Sequence, residues 1–126
     1  SMVAALDSLK ARPAKGRRIA ILGDMLELGP KGRELHGGLA ASVAANKIDL
    51  VFCCGPLMRA LWDALPSAKK GGYAETSAKL ESQLVAGIRA GDAIMVKGSL
   101  GSRMKLIVTA LEKNFPSGAD ADDLTV

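Results

Sequence analysis

Lys97 stands where an apolar run, Ala93 to Val96, meets a turn carrying two glycines, Gly98 and Gly101. A cation beside such a turn, at the start of a helix, suits an anion: free backbone N–H groups favour negative charge, and glycines allow close approach. Lys97, Gly98 and Ser99 could therefore hold a carboxylate or a phosphate. The stretch is no P-loop, because no Lys-Ser/Thr pair follows the second glycine. The plainer alternative is a tight turn with a surface lysine. A second junction, LGDMLELG over residues 22–29, sets two carboxylates, Asp24 and Glu27, just past another apolar run. They could take an ammonium or a metal-bound water, or Asp24 could simply cap the following turn. His36 has no neighbour that would complete a triad, and reads as a packing or surface residue. Cys53 and Cys54 are adjacent, so in a strand they point to opposite faces and do not pair with each other. Two thiols and one histidine are too few for a zinc cluster, and no metal site is expected.

These residues sit at the ends of elements that alternate. RIAILG (18–23), IDLVFCCG (48–55) and AIMVKG (93–98) are short apolar runs closed by glycine, the pattern of buried parallel strands. A third short strand fits around Tyr73. Between them lie helical patterns. Val3, Leu6 and Leu9 mark a first helix over 2–11, and Leu35, Leu39 and Val43 a second over 33–45. Residues 57–65 form a short third. Thr76 or Ser77 caps a fourth carrying Leu80, Leu84, Val85 and Ile88. The last, Ser102 to Asn114, turns Met104, Ile107, Val108 and Leu111 inward. Strict alternation with short connections predicts a doubly wound, mainly parallel α/β sheet with helices on both faces. One domain over 1–116 is expected, followed by a polar tail, 117–126, that frays.

Composition narrows the functions. The 126 residues are 48% hydrophobic but only 3% aromatic, so Ala, Leu, Ile and Val must build the core. The formal charge of +4 is mild, and no basic run is interleaved with aromatics, which argues against nucleic-acid binding. No apolar stretch is long enough for a membrane span, and SMVAALDSLK reads as an amphipathic helix rather than a signal peptide, so a cytoplasmic location is expected. A receiver-type phosphoacceptor domain fits poorly, since the second strand ends in Cys53-Cys54-Gly55.

RIAILGDMLELG with His36 after it, and GDAIMVKGSLGSRM further on, together resemble the C-terminal domain of the bacterial Mur ligases. Leu22, Gly23, Asp24, Met25, Glu27, Leu28 and Gly29 match the first part of that family's pattern. Gly91, Asp92, Val96, Lys97, Gly98 and Ser99 match the second. Leu100 departs from it, standing where the pattern usually has Arg, though Arg103 lies a turn away. The resemblance implies a Rossmann-like third domain of an ATP-dependent acid–amino-acid ligase. It is most like the branch of the family that joins D-alanyl-D-alanine to a UDP-N-acetylmuramoyl-tripeptide. It implies that ATP and magnesium are bound mainly by N-terminal and central domains of the same polypeptide, so that no catalytic residue and no cofactor is expected in this chain alone. It implies that the domain closes over ATP and brings the dipeptide. Asp24, Lys97, Gly98 and Ser99 are then the candidate dipeptide contacts, with Glu27, His36 and Arg103 secondary. The rival is a free-standing Rossmann-like ligand-binding module without catalytic activity.

Overall fold

A computed structural model of the chain describes residues 1–115, 119–120 and 123–125, with side chains described through Phe115 except that of Glu27. The helices are α1 (Met2–Ala11), α2 (Gly32–Ala45), α3 (Arg59–Ala64), α4 (Ser77–Gly87) and α5 (Lys105–Asn114). The strands are β1 (Arg18–Gly23), β2 (Leu50–Cys54), β3 (Lys70–Ala74), β4 (Ala93–Lys97), β5 (Ala119–Asp120) and β6 (Asp123–Thr125). One sheet runs in the order β3-β2-β1-β4-β6-β5. Its first four strands are parallel, and β6 joins β4 antiparallel. The chain leaves β1 toward β2 and β3, then returns to β4 on the other side of β1. The loops after β1 and β4 therefore diverge at a switch point, where a crevice opens at the carboxyl ends of the strands.

Strand alternation divides the core in two. Ala20, Leu22, Val51, Cys53 and Met95 face one way and pack under α1, α2 and α3. Ile19, Ile21, Phe52, Cys54, Ile94 and Val96 face the other way, under α4 and α5. Cys53 and Cys54 thus fall in different cores, and both are free thiols. Among the described residues Phe52 is the one Phe, Tyr or Trp ring wholly inside, and Gly71, Gly72 and Gly87 leave it room: a Cβ on any of them would come within 3.0 Å of its ring. On the edge strand β3, the Gln83 side chain bonds both the N–H and the carbonyl of Tyr73, occupying backbone groups that could otherwise recruit another strand.

Several details differ from the sequence pattern; one is Val85, expected on the apolar stripe of α4 but 40% exposed. The inward face of α1 is Met2, Leu6 and Leu9, leaving Val3 46% exposed, and that of α2 is Gly32, His36, Leu39 and Val43, leaving Leu35 50% exposed. In α2 the polar His36 takes the position that hydrophobicity assigns to its neighbour, because its ring has two backbone partners inside. The last helix starts late: Leu100–Ser102 is a 3-10 turn, Arg103 is left-handed at φ 57°, and α5 begins at Lys105. Finally, the segment read as a frayed tail contains β5 and β6, with Asp123, Leu124 and Thr125 registered against Met95, Ile94 and Ala93. The outer edge of β4 offers unpaired backbone groups there, and an antiparallel strand satisfies them.

Candidate functional site

The site residues read from the sequence gather at the carboxyl edge of the sheet. Asp24 follows β1 directly and is 3% exposed. Its Oδ2 accepts from the N–H of Leu57 at 3.1 Å and its Oδ1 from that of Met58 at 2.8 Å. The carboxylate therefore caps the turn that leads into α3, across the sheet, rather than the turn after its own strand. Gly55 is required beside it: at φ 111°, any Cβ there would collide with the Asp24 carboxylate.

His36 props up the same loop from below. It is 1% exposed; Nδ1 donates to the Gly32 carbonyl and Nε2 accepts from the Met25 N–H at 2.9 Å. Those two bonds fix which ring nitrogen carries the proton. The ring acts as a strut of the β1–α2 loop. Of Glu27, the side chain lies outside the described residues.

Ser99 ties the two diverging loops together. Its N–H donates to the Asp24 carbonyl at 3.1 Å, its hydroxyl accepts from the Leu26 N–H at 2.8 Å, and its carbonyl accepts from the Ser102 hydroxyl at 2.6 Å. The glycines make this crossing possible. A Cβ on Gly98 would lie 2.6 Å from Ser102 Oγ and 2.7 Å from Met104 Cγ, and one on Gly23 would lie 2.5 Å from Met104 Sδ. The Cys54 thiol donates to that same sulfur at 3.3 Å. Burial pushes the Cys54 thiol up to about 12, with Asp24 adding to the effect, and burial pushes Cys53 higher still. These thiols are packing groups, without nucleophilic character.

Two hollows open beside this knot. A groove of about 690 Å³ is bordered by Lys97, Gly98, Ser99, Leu100 and Arg103. A smaller cleft, about 240 Å³, lies between Asp24, Gly55, Arg103 and the start of α4. Arg103 alone among the predicted site residues borders both. Among the described residues the Lys97 ammonium has no hydrogen-bond or ion-pair partner. Around these cations Leu26 is 53% and Leu100 98% exposed, an apolar rim at the mouth of the crevice. Among the described residues no three His, Cys, Asp or Glu side chains stand close enough to hold a metal, and no helix is long and apolar enough to cross a membrane.

Residues 1–100 match the family described as Mur ligase, glutamate ligase domain. The chain belongs to the Mur ligase family. Among its curated relatives are two proteins named UDP-N-acetylmuramoyl-tripeptide–D-alanyl-D-alanine ligase. The one from Rickettsia prowazekii (strain Madrid E) is 30% identical over 108 residues, covering 86% of this chain and 24% of that protein. The one from Bacillus subtilis (strain 168) is 32% identical over 114 residues, covering 88% and 25%. The Mur ligase domain thus spans about a quarter of the length of the relatives it matches. Two solved structures share its fold. MurF ligase from Thermotoga maritima in complex with ADP has a TM-score of 0.68 at 24% identity, over 87% of this chain and 24% of that one. MurF from Acinetobacter baumannii has a TM-score of 0.75 at 22% identity, over 90% and 25%.

In this Mur ligase domain the geometry brings Lys97, Gly98, Ser99 and Arg103 around one groove, sets Asp24 at the neighbouring cleft, and leaves His36 beneath the loop. Sequence reasoning passed over one part of the carboxyl edge: the start of α4, where Glu75, Thr76 and Ser77 border the smaller cleft. The available signal was position. A Glu-Thr-Ser run between a short strand and a helix falls at the same edge as the other loops.

Proposed function

We propose that this Mur ligase domain is the C-terminal part of an ATP-dependent ligase that adds D-alanyl-D-alanine to UDP-N-acetylmuramoyl-tripeptide during peptidoglycan precursor synthesis. The observation that carries the reading is the family match over residues 1–100, together with relatives of that name aligned along nearly the whole chain. The geometry supports it. Cations at a crevice mouth suit the carboxylate of an incoming dipeptide, and an apolar rim suits burial against a neighbouring domain. In this reading Lys97 is the countercharge for the dipeptide carboxylate, with Gly98 giving close backbone approach. Asp24, Ser99 and His36 hold the loops that shape the site, and Arg103 adds a second cation.

ATP and magnesium belong to the N-terminal and central domains of the same polypeptide; the residues here carry no P-loop. Bound there, the nucleotide supplies a phosphoryl group that activates the tripeptide carboxylate. This domain delivers the dipeptide, and its closure excludes water that would compete with the amine. The work is done in the cytoplasm, where these nucleotide-linked substrates are made. The test uses the complete polypeptide that contains this domain. Phosphate release with ATP, magnesium and UDP-N-acetylmuramoyl-tripeptide should depend on added D-alanyl-D-alanine, and the 126-residue chain alone should show no turnover. Release that is indifferent to the dipeptide, or turnover by the isolated chain, would contradict the reading.

A further inference from the structure

The smaller cleft contains a group that the proposed function does not use. Ser77 opens α4, an 11-residue helix, and is 4% exposed. Its hydroxyl forms no hydrogen bond among the described residues. Among those residues the one fully enclosed side-chain polar atom without a partner is Arg18 Nε, so the Ser77 oxygen is reached by solvent. The hollow it borders is the 240 Å³ cleft. Thr76 caps the helix by accepting from the Lys79 N–H at 3.2 Å, which leaves the first N–H groups of α4 facing outward at the same place. Arg103, held left-handed at φ 57°, also borders the cleft. A hydroxyl lacking a partner among the described residues on a residue 4% exposed, free helix N–H groups and an arginine thus border one small cleft.

We infer that this cleft is an oxyanion seat, built from Ser77, the first N–H groups of α4 and Arg103, for a single carboxylate or phosphate group. Helix N-termini favour anions by both dipole and unpaired donors, and the hydroxyl and guanidinium add directional bonds. Two carboxylates also border the cleft. Asp24 has both oxygens occupied by the Leu57 and Met58 N–H groups. Glu75 is exposed at the rim, where it repels a polyphosphate and tolerates a ligand that carries its own ammonium. The seat therefore suits one small anionic group, and it shares Arg103 with the groove at Lys97.

The test is an amide-resolved NMR titration of the 126-residue chain, with D-alanyl-D-alanine in one arm and inorganic phosphate in the other. Shifts at the amides of Thr76 to Lys79 and of Arg103, in either arm, are expected, and the arm that produces them identifies the source of the anion. Ser77→Ala should weaken that response roughly tenfold, the loss of one hydrogen bond to a charged group. If neither ligand moves residues 76–79, or if Ser77→Ala titrates like the parent chain, the seat does not exist. If the dipeptide moves only residues 97–99, the seat is overturned while the proposed function stands.

Discussion

The two ends of the parallel sheet handle charge in opposite ways. At the amino edge, the buried Asp92 carboxylate is paired with a guanidinium. Arg17 Nε and a terminal nitrogen grip the two oxygens of Asp92 at 3.1 and 2.8 Å, and Asp92, 2% exposed, also accepts from the Arg89 N–H. The same guanidinium donates to the Gly87 carbonyl. Asn46 reaches Asp7 and so ties α2 to α1. At the carboxyl edge, polar side chains are spent on backbone N–H groups of loops, while Lys97 and Ser77 have no partner among the described residues. One end pairs its buried carboxylate and holds the layers. The other fixes its loops rigidly and leaves donors facing outward, as a ligand site requires.

The largest test of this contrast lies at the amino edge. Arg17→Met strands a buried carboxylate. Breaking a buried ion pair on one side costs roughly 3–5 kcal/mol, and the low end applies because Arg17 is 25% exposed. Denaturant melts should show the loss without any change in ligand response at the opposite edge. Next comes Asp24→Ala, which leaves the Leu57 and Met58 N–H groups without their acceptor and should cost about 1.5–3 kcal/mol. Unlike Arg17→Met, it should also disturb the amides around both hollows. Equal and purely global effects from the two substitutions would erase the distinction between the ends.

A smaller effect follows from pH. Unfolded thiols ionise near about 8.5, whereas folded Cys53 and Cys54 keep their protons because burial raises both. Above that pH the unfolded state binds fewer protons than the native state, so these thiols make stability fall as pH rises. The fall should begin near pH 8.5 and be shallower in Cys54→Ala. Alkylating reagents should label neither thiol until the chain unfolds. The smallest effect on stability is expected at Lys97→Met, within about 0.5 kcal/mol, as for a surface position.

The alternation of apolar runs with helical patterns was enough to read the parallel sheet, because buried strands and amphipathic helices leave different periods. Local patterns fared worse where a partner lies far along the chain. Leu35 looked like the inward residue of α2, but His36 goes inside because the carbonyl of Gly32 and the N–H of Met25 await its ring. Asp24 was legible as a cap, yet the N–H groups it caps are 33 and 34 residues away. Ser99 looked like a ligand contact in a turn, and its bond to the Leu26 N–H spans 73 positions. The polar segment after Asn114 carries no strand pattern of its own. Its pairing depends on the open edge of β4, which is a property of the folded sheet.

The central claim is that the carboxyl edge of this domain serves the dipeptide, with Lys97 as its countercharge. Steady-state kinetics of the complete enzyme, with varied D-alanyl-D-alanine at saturating ATP, tests it most directly. On the proposed reading, Lys97→Met would remove a charged hydrogen bond to the dipeptide, worth roughly 1.5–3 kcal/mol. It should therefore lower kcat/KM for the dipeptide about ten- to a hundredfold with the melting temperature unchanged. Lys97→Arg should restore only part of that loss, since a planar fork does not replace a point charge beside a tight turn. A change smaller than about twofold in Lys97→Met, of the size expected at an ordinary surface position, would contradict the account.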